Sequence, residues 1–295
     1  MNTIVLRNPL SVYLELIKVR IAALVALSTA AGVVLYSGQL SWPIIPATLG
    51  IFLLAAGSAA LNEYQERELD RLMRRTEGRP IPAGLVSPSH ALKIVVLLML
   101  LGALVLALGT NRTTLALGLL NVVWYNGIYT PLKTRTAYAV FPGALIGAIP
   151  PLAGWAAAGG NLLDPQAIIL GVVFFVWQIP HFWLLLLNFG QDYERAGFPS
   201  LTRTFNRIQL GRLTFMWLAI TAMVVMALPL YGIGRSTTVQ LLLLGYGGWL
   251  LYKSRWLLKP QARSLIYRRA FGYINLYVML VMLTLVLHRL GILPS

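Results

Sequence analysis

Nine carboxylates serve a chain of 295 residues, and five of them (Glu63, Glu66, Glu68, Asp70 and Glu77) crowd into the stretch from Asn62 to Gly84. Five arginines share it: Arg67, Arg71, Arg74, Arg75 and Arg79. Asn62, Glu66 and Asp70 recur at four-residue steps, which on an α-helix drift by only about 40° each and form one stripe of oxygen donors. Such a stripe suits a hard cation like Mg2+, which commonly shares its shell with phosphate oxygens. The bland alternative is a solvated helix end whose acids pair with arginines three or four residues on. Against it stands the basic turn RRTEGRPIP, where Arg75 and Arg79 could grip phosphate bidentately. Asp192, in GQDYERAGFPSL, is a second acid-bearing segment. Two such segments across one mouth suggest two cations bridging one diphosphate. Lys133 and Arg135, in YTPLKTRT, would add positive charge there or simply anchor a loop.

The elements that must hold these groups are membrane helices. Apolar residues make up 58% of the chain and charged residues 11%, against roughly 25% charged in a soluble domain. Nine apolar spans are legible, at about 21–38, 43–61, 91–110, 113–129, 138–158, 166–187, 213–232, 237–252 and 271–290, each near the length that crosses a ~30 Å hydrocarbon layer. With the N-terminus inside, only Arg112, Arg235 and Arg289 of the 24 cations fall outside. The net charge of +15 is therefore a topological signature, and nucleic acid is not the partner. The predicted fold is an all-α bundle of nine transmembrane helices around a central cavity, a single domain over residues 1–295. Its long inner loops, at about 62–90 and 188–212, lie on one face. The absence of cysteine excludes thiolate chemistry and disulfides. Pro142, Pro150 and Pro151 interrupt the fifth span, and backbone irregularity in a bilayer needs protein or a cavity beside it, which points to a cavity near Pro150–Trp155.

His181 lies inside the sixth span, in FVWQIPHFW, beside Trp177, Gln178, Phe182 and Trp183. Most buried histidines are hydrogen-bonded core residues, yet polar groups at membrane depth are functional by default. An aromatic pocket over a histidine could hold a metalloporphyrin. Eleven residues separate His181 from Asp192, about 16 Å along an unbroken helix. Asn121 and Tyr125, at i and i+4 on the fourth span, could face the same cavity or bond a neighbouring helix.

These residues together resemble the UbiA-type intramembrane prenyltransferases, and within them the protoheme IX farnesyltransferase (heme O synthase) branch. Asn62, Glu66, Asp70, Met73, Arg75, Thr76, Arg79, Pro80 and Gly84 match the first motif, with Glu66 where most members carry Asp. Tyr129, Thr130, Leu132 and Lys133 match a second element, and Pro150, Pro151, Leu152, Gly154 and Trp155 a third. The run Trp177 to Trp183, ending in Asp192, Tyr193, Ala196 and Gly197, is similar to the segment that marks the heme-acting branch. The resemblance implies farnesyl transfer from farnesyl diphosphate to a vinyl group of protoheme IX (heme b), with Mg2+ as cofactor. It implies Asn62, Glu66, Asp70 and Asp192 as metal ligands, and Arg75, Arg79, Lys133 and Arg135 as diphosphate-binding groups, Lys133 being catalytic as well. His181, Trp177, Gln178, Tyr125 and Asn121 would receive the heme. The expected location is the inner membrane, with N-terminus and both loops cytoplasmic and the C-terminus on the other side. Lipid is the surrounding partner, and heme A synthase or terminal-oxidase assembly a further one. A quinone-precursor prenyltransferase would keep the acidic loops without needing His181, and a transporter would carry its ionisable groups near the midplane.

Overall fold

The computed structural model describes residues 8–259 and 264–293; the N-terminus, Arg7 and Arg263, all assigned to the inner side, lie outside these. Every regular element among the described residues is helical. Helix α1 (Pro9–Leu16) starts with proline, whose missing N–H costs nothing in a first turn, and Asn8 caps it by accepting the Leu10 N–H. The chain then turns at Lys18, whose φ of 47° puts it in the left-handed region that side chains avoid. Helix α2 (Val19–Ser37) follows and ends at Gly38 with φ 72°, the usual glycine stop. Next come α3 (Ile44–Asp70), α4 (Pro88–Gly109), capped by Ser87, and α5 (Arg112–Val122), capped by Asn111.

Helix α5 does not continue as an α-helix. From Val123 to Tyr129 the backbone widens into a π-turn, then closes in the short α6 (Thr130–Leu132). Beyond lie α7 (Val140–Ala157), α8 (Pro165–Arg195), α9 (Arg207–Met226), α10 (Thr237–Ser254) and α11 (Ser264–Arg289). Among the described residues seven helices are long and apolar enough to cross a membrane. The other two expected spans, 113–129 and 237–252, are also helical; the first is interrupted by the π-turn, and α10 dilutes its apolar run with Gln240, Tyr246 and three glycines.

Two expected boundaries move. The span read as 43–61 continues to Asp70 and that read as 166–187 to Arg195, so both acidic segments ride on rigid helix ends. Over the stretch Pro150–Trp155, where a cavity was expected, α7 lies in close backbone contact with α2, and Trp155 at its far end lines a cavity of about 440 Å3. A Cβ on Gly154 would sit 1.9 Å from the Thr29 carbonyl oxygen and one on Gly32 2.0 Å from that of Pro151, so α2 and α7 touch backbone to backbone. One continuous apolar core joins α7, α8, α9, α10 and α11. The outer face of α4 presents Leu97, Leu100, Leu104 and Leu108, as a lipid-facing stripe must.

Candidate active site

The stripe on α3 points inward. Asn62, Glu66 and Asp70 are buried, and so is Glu63 one residue off the stripe. Buried carboxylates demand counter-charges. Lys133, just after α6, places its Nζ 2.5 Å from Glu66 Oε1, and Arg79 places Nη1 2.6 Å from Asp70 Oδ2. Glu63 instead accepts the Ile81 N–H at 3.0 Å, which fixes the end of the arginine-rich turn against α3. Thr76 donates its hydroxyl to the Asp70 carbonyl at 2.9 Å and tightens the same turn.

A third cation completes the cluster. Lys18 donates to Asn62 Oδ1 at 3.1 Å and to the Ala59 carbonyl at 3.5 Å, while Asn62 Nδ2 donates to Thr130 Oγ1 at 3.2 Å. Burial, with Arg79 and Lys133 close by, pushes the Lys18 ammonium down to about 7, against the pull of Glu63 and Glu66. Burial also works against the Arg79 charge, yet Asp70 and the neighbouring glutamates hold it above its ordinary value. Lys18 was not among the residues singled out from the sequence, and neither was Glu63 as a positioning group.

The second acidic segment meets the first. Arg75 Nη2 donates to the Tyr193 hydroxyl at 3.3 Å, and its guanidinium lies 5.3 Å from the Phe189 ring centre. Met73 packs with Ala196 and Phe198 beneath this contact. Asp192 is half-buried beside it, 3.9 Å from Arg195, and Glu194 accepts the Thr202 hydroxyl. Arg135 is exposed and forms no ion pair among the described residues. Within those residues no three His, Asp or Glu side chains gather into a metal cage. The donor set still fits Mg2+ in the way that ion shares its shell with phosphate. Its donors are hard oxygens on one helix face, and Asp70 Oδ1 is buried without a hydrogen-bond donor.

From this cluster an aromatic wall runs into the bundle. Lys133 Nζ stands 5.5 Å from the Tyr129 ring, Tyr129 stacks with Tyr125 at 5.9 Å and meets Phe182 at 6.0 Å. Phe182 lies 5.8 Å from His181, whose ring is flanked by Trp177 at 5.0 Å and Phe271 at 4.7 Å. The π-turn carries Tyr125 and Tyr129 at four-residue spacing, close to one turn of the widened helix, so both rings fall on one face. Asn126 locks the turn to α3 by donating to the Ser58 carbonyl at 3.0 Å and to Gln65 Oε1 at 3.2 Å.

His181 pairs through Nδ1 with Asn275 Oδ1 at 2.9 Å, and Asn275 Nδ2 donates to the Phe271 carbonyl at 2.7 Å. The Phe271 carbonyl orients the Asn275 amide so that Oδ1 faces Nδ1, and in the tautomer that donates there the lone pair lies on Nε2. Trp177 Nε1, Gln178 Oε1 and Asn121 Oδ1 are buried with no hydrogen-bond partner among the described residues. Helix α8 is continuous from Pro165 to Arg195, so His181 and Asp192 share one rigid rod about 16 Å apart.

The helical arrangement is that of known intramembrane enzymes. It superposes on a digeranylgeranylglyceryl phosphate synthase with a TM-score of 0.75 at 17% identity, covering 96% of this chain and 99% of that one. A UbiA homologue from Archaeoglobus fulgidus bound to GPP and Mg2+ gives 0.66 at 16% identity, covering 93% and 99%. At these identities the likeness shows the fold, a multi-pass helical membrane bundle. The sequence model of the UbiA prenyltransferase family matches residues 22–285, and the chain belongs to that family. It is 41% identical over 220 residues to a protoheme IX farnesyltransferase of Geobacter sulfurreducens, covering 75% of this chain and 81% of the relative. A second such enzyme, of Oleidesulfovibrio alaskensis, is 36% identical over 278 residues, covering 94% and 95%.

Proposed function

We propose that this prenyltransferase moves a farnesyl group from farnesyl diphosphate to a vinyl carbon of protoheme, giving heme O. Both relatives above carry that activity in their names, and the aromatic wall joining Lys133 to His181 is the observation that carries the reading. Asn62, Glu66, Asp70 and Asp192 would hold Mg2+, which when bound supplies positive charge to the diphosphate oxygens.

The chain's own residues do the rest. Arg75, Arg79, Lys133 and Lys18 offer donors to the leaving diphosphate as its bridging C–O bond breaks and both electrons leave with oxygen. The allylic cation is then left against Tyr129, Tyr125 and Phe182, whose ring faces stabilise positive charge and keep water away. The vinyl π-electrons of the porphyrin form the new C–C bond, and water adds to the cation left on the adduct with loss of a proton. His181 would hold the porphyrin through Nε2, with Asn275 fixing the ring. Trp177 and Gln178, with Asn121, would meet its edge.

In the same reading the chain is one domain that crosses the inner membrane nine times, with both acidic segments in the cytoplasm and the C-terminus opposite. Its product would pass to heme A synthase or terminal-oxidase assembly. The test is incubation of purified protein with farnesyl diphosphate, Mg2+ and heme, followed by mass analysis of the porphyrin. Farnesylated porphyrin is expected; prenylation of a quinone precursor with the porphyrin unchanged would overturn the assignment. His181→Ala is expected to shift the absorbance of bound heme and weaken its binding by about tenfold, roughly 1.4 kcal/mol.

A further inference from the structure

At the end of the bundle opposite the carboxylate cluster lies a cavity of about 440 Å3, within the range of small-molecule sites. Asp164 lines it and precedes α8, whose far end carries Asp192, so the two acids are roughly 40 Å apart along that helix. Among the described residues the connections and helix termini at this end carry four formally charged side chains, Arg112, Asp164, Arg235 and Arg289, with His288 beside the last of them and also lining the cavity. Three of the four meet here. Asp164 and Arg289 line the cavity, and a Cβ on its lip residue Gly232 would lie 3.6 Å from Arg235 Nη2. Scattered loop charges would not converge in this way.

The polar groups are held in place by the fold. Arg289 donates from Nε to the Leu35 carbonyl at 3.0 Å and from Nη2 to the Tyr36 carbonyl at 3.1 Å, which ties it to the end of α2. Asp164 Oδ2 accepts from Trp155 Nε1 at 3.2 Å and from the Asn161 N–H at 3.1 Å, and no hydrogen bond among the described residues claims Oδ1. Trp155 meets Tyr36 edge to face at 5.1 Å, an amphipathic pair of the kind that sits at headgroup level. Leu163 and Leu230, in the two connections that frame the cavity, are 79% and 80% exposed. A site for a soluble ion has no use for such flanks.

We propose that this cavity binds the headgroup of a phospholipid bearing a primary ammonium. Arg289, with Arg235 at the rim, takes the phosphate; Asp164 takes the ammonium; Leu163 and Leu230 lie against the acyl chains. A phosphodiester suits the Arg289 N–H groups that bond no backbone carbonyl, at the Nη1 end, together with the Arg235 guanidinium at the rim. The carboxylate beside it disfavours a purely anionic ligand and selects a zwitterion. The ammonium must be small and able to donate, so a choline headgroup is a poorer fit.

The experiment is native mass spectrometry of the whole purified protein after exchange into detergent with equal amounts of phosphatidylethanolamine, phosphatidylcholine and phosphatidylglycerol of matched chains. One phosphatidylethanolamine is expected to be retained at least about fivefold over the others. Asp164→Asn should erase that preference while retaining phosphatidylglycerol, and Arg289→Gln should lower retention of all three. Because Arg289 also ends α2, Asp164→Asn is the deciding variant, with its melting temperature measured alongside. Equal retention of the three lipids, or a preference unmoved by Asp164→Asn, overturns the proposal. Displacement of the lipid by millimolar O-phosphorylethanolamine or inorganic phosphate would assign the site to a soluble anion instead and overturn it equally.

Discussion

The two acid-bearing helix ends differ in how they hold their carboxylates. On α3 the Asp70 side chain is 1% exposed and Arg79 grips it at 2.6 Å; on α8 the Asp192 side chain is 18% exposed, with Arg195 at 3.9 Å and itself open to water. The first is pre-formed, with Glu63, Glu66 and Asp70 facing Lys18, Lys133 and Arg79 in a buried cluster. The second is loosely tethered, joined to the first mainly through Arg75 and Tyr193. A fixed half and a yielding half are what a site needs if it must both orient a diphosphate and let one in and out.

The sharpest test of that contrast is Asp70→Ala, expected to lower transfer by more than about a thousandfold while heme still binds, as read from product mass and heme absorbance. Stranding Arg79 without its partner should also destabilise the fold by about 3–5 kcal/mol. Asp70→Asn separates the two effects, keeping most of the melting temperature but not the turnover. Lys133→Met should follow at about a hundredfold, mostly in kcat, because the ammonium acts on charge that develops as the diphosphate leaves. Asp192→Asn is expected to cost about tenfold in kcat/KM for farnesyl diphosphate, with stability changed by less than about 0.5 kcal/mol. A loss as deep as that of Asp70, or a collapse in melting temperature, would erase the distinction between the halves. The smallest effect belongs to Tyr193→Phe, which removes the hydrogen bond from Arg75 but keeps the ring; about a twofold rise in KM with kcat unchanged would fit a positioning role.

Local periodicity explains what the sequence made visible. Asn62, Glu66 and Asp70 are neighbours on one helix, so their stripe follows from spacing alone. Lys18 reaches Asn62 across 44 residues and Asn275 reaches His181 across 94; no pattern within a window could pair them. Glu63 stood in plain view, but its task, receiving the Ile81 N–H, depends on a turn folding back on α3. The π-turn at Val123–Tyr129 is silent for a related reason, since it is held by Asn126 and Gln65 bonding between helices rather than by its own residue types. Pro150 and Pro151 were legible as irregularity, but the close contact of α7 with α2 depends on Gly32, which is remote in the chain.

The backbone contact between α2 and α7 has a consequence for traffic through the enzyme. With the Gly154 and Gly32 backbones pressed against the opposite carbonyls, there is no side chain to swing aside and no slack to take up. That seam behaves as a weld, so substrates must arrive and depart through other walls of the bundle.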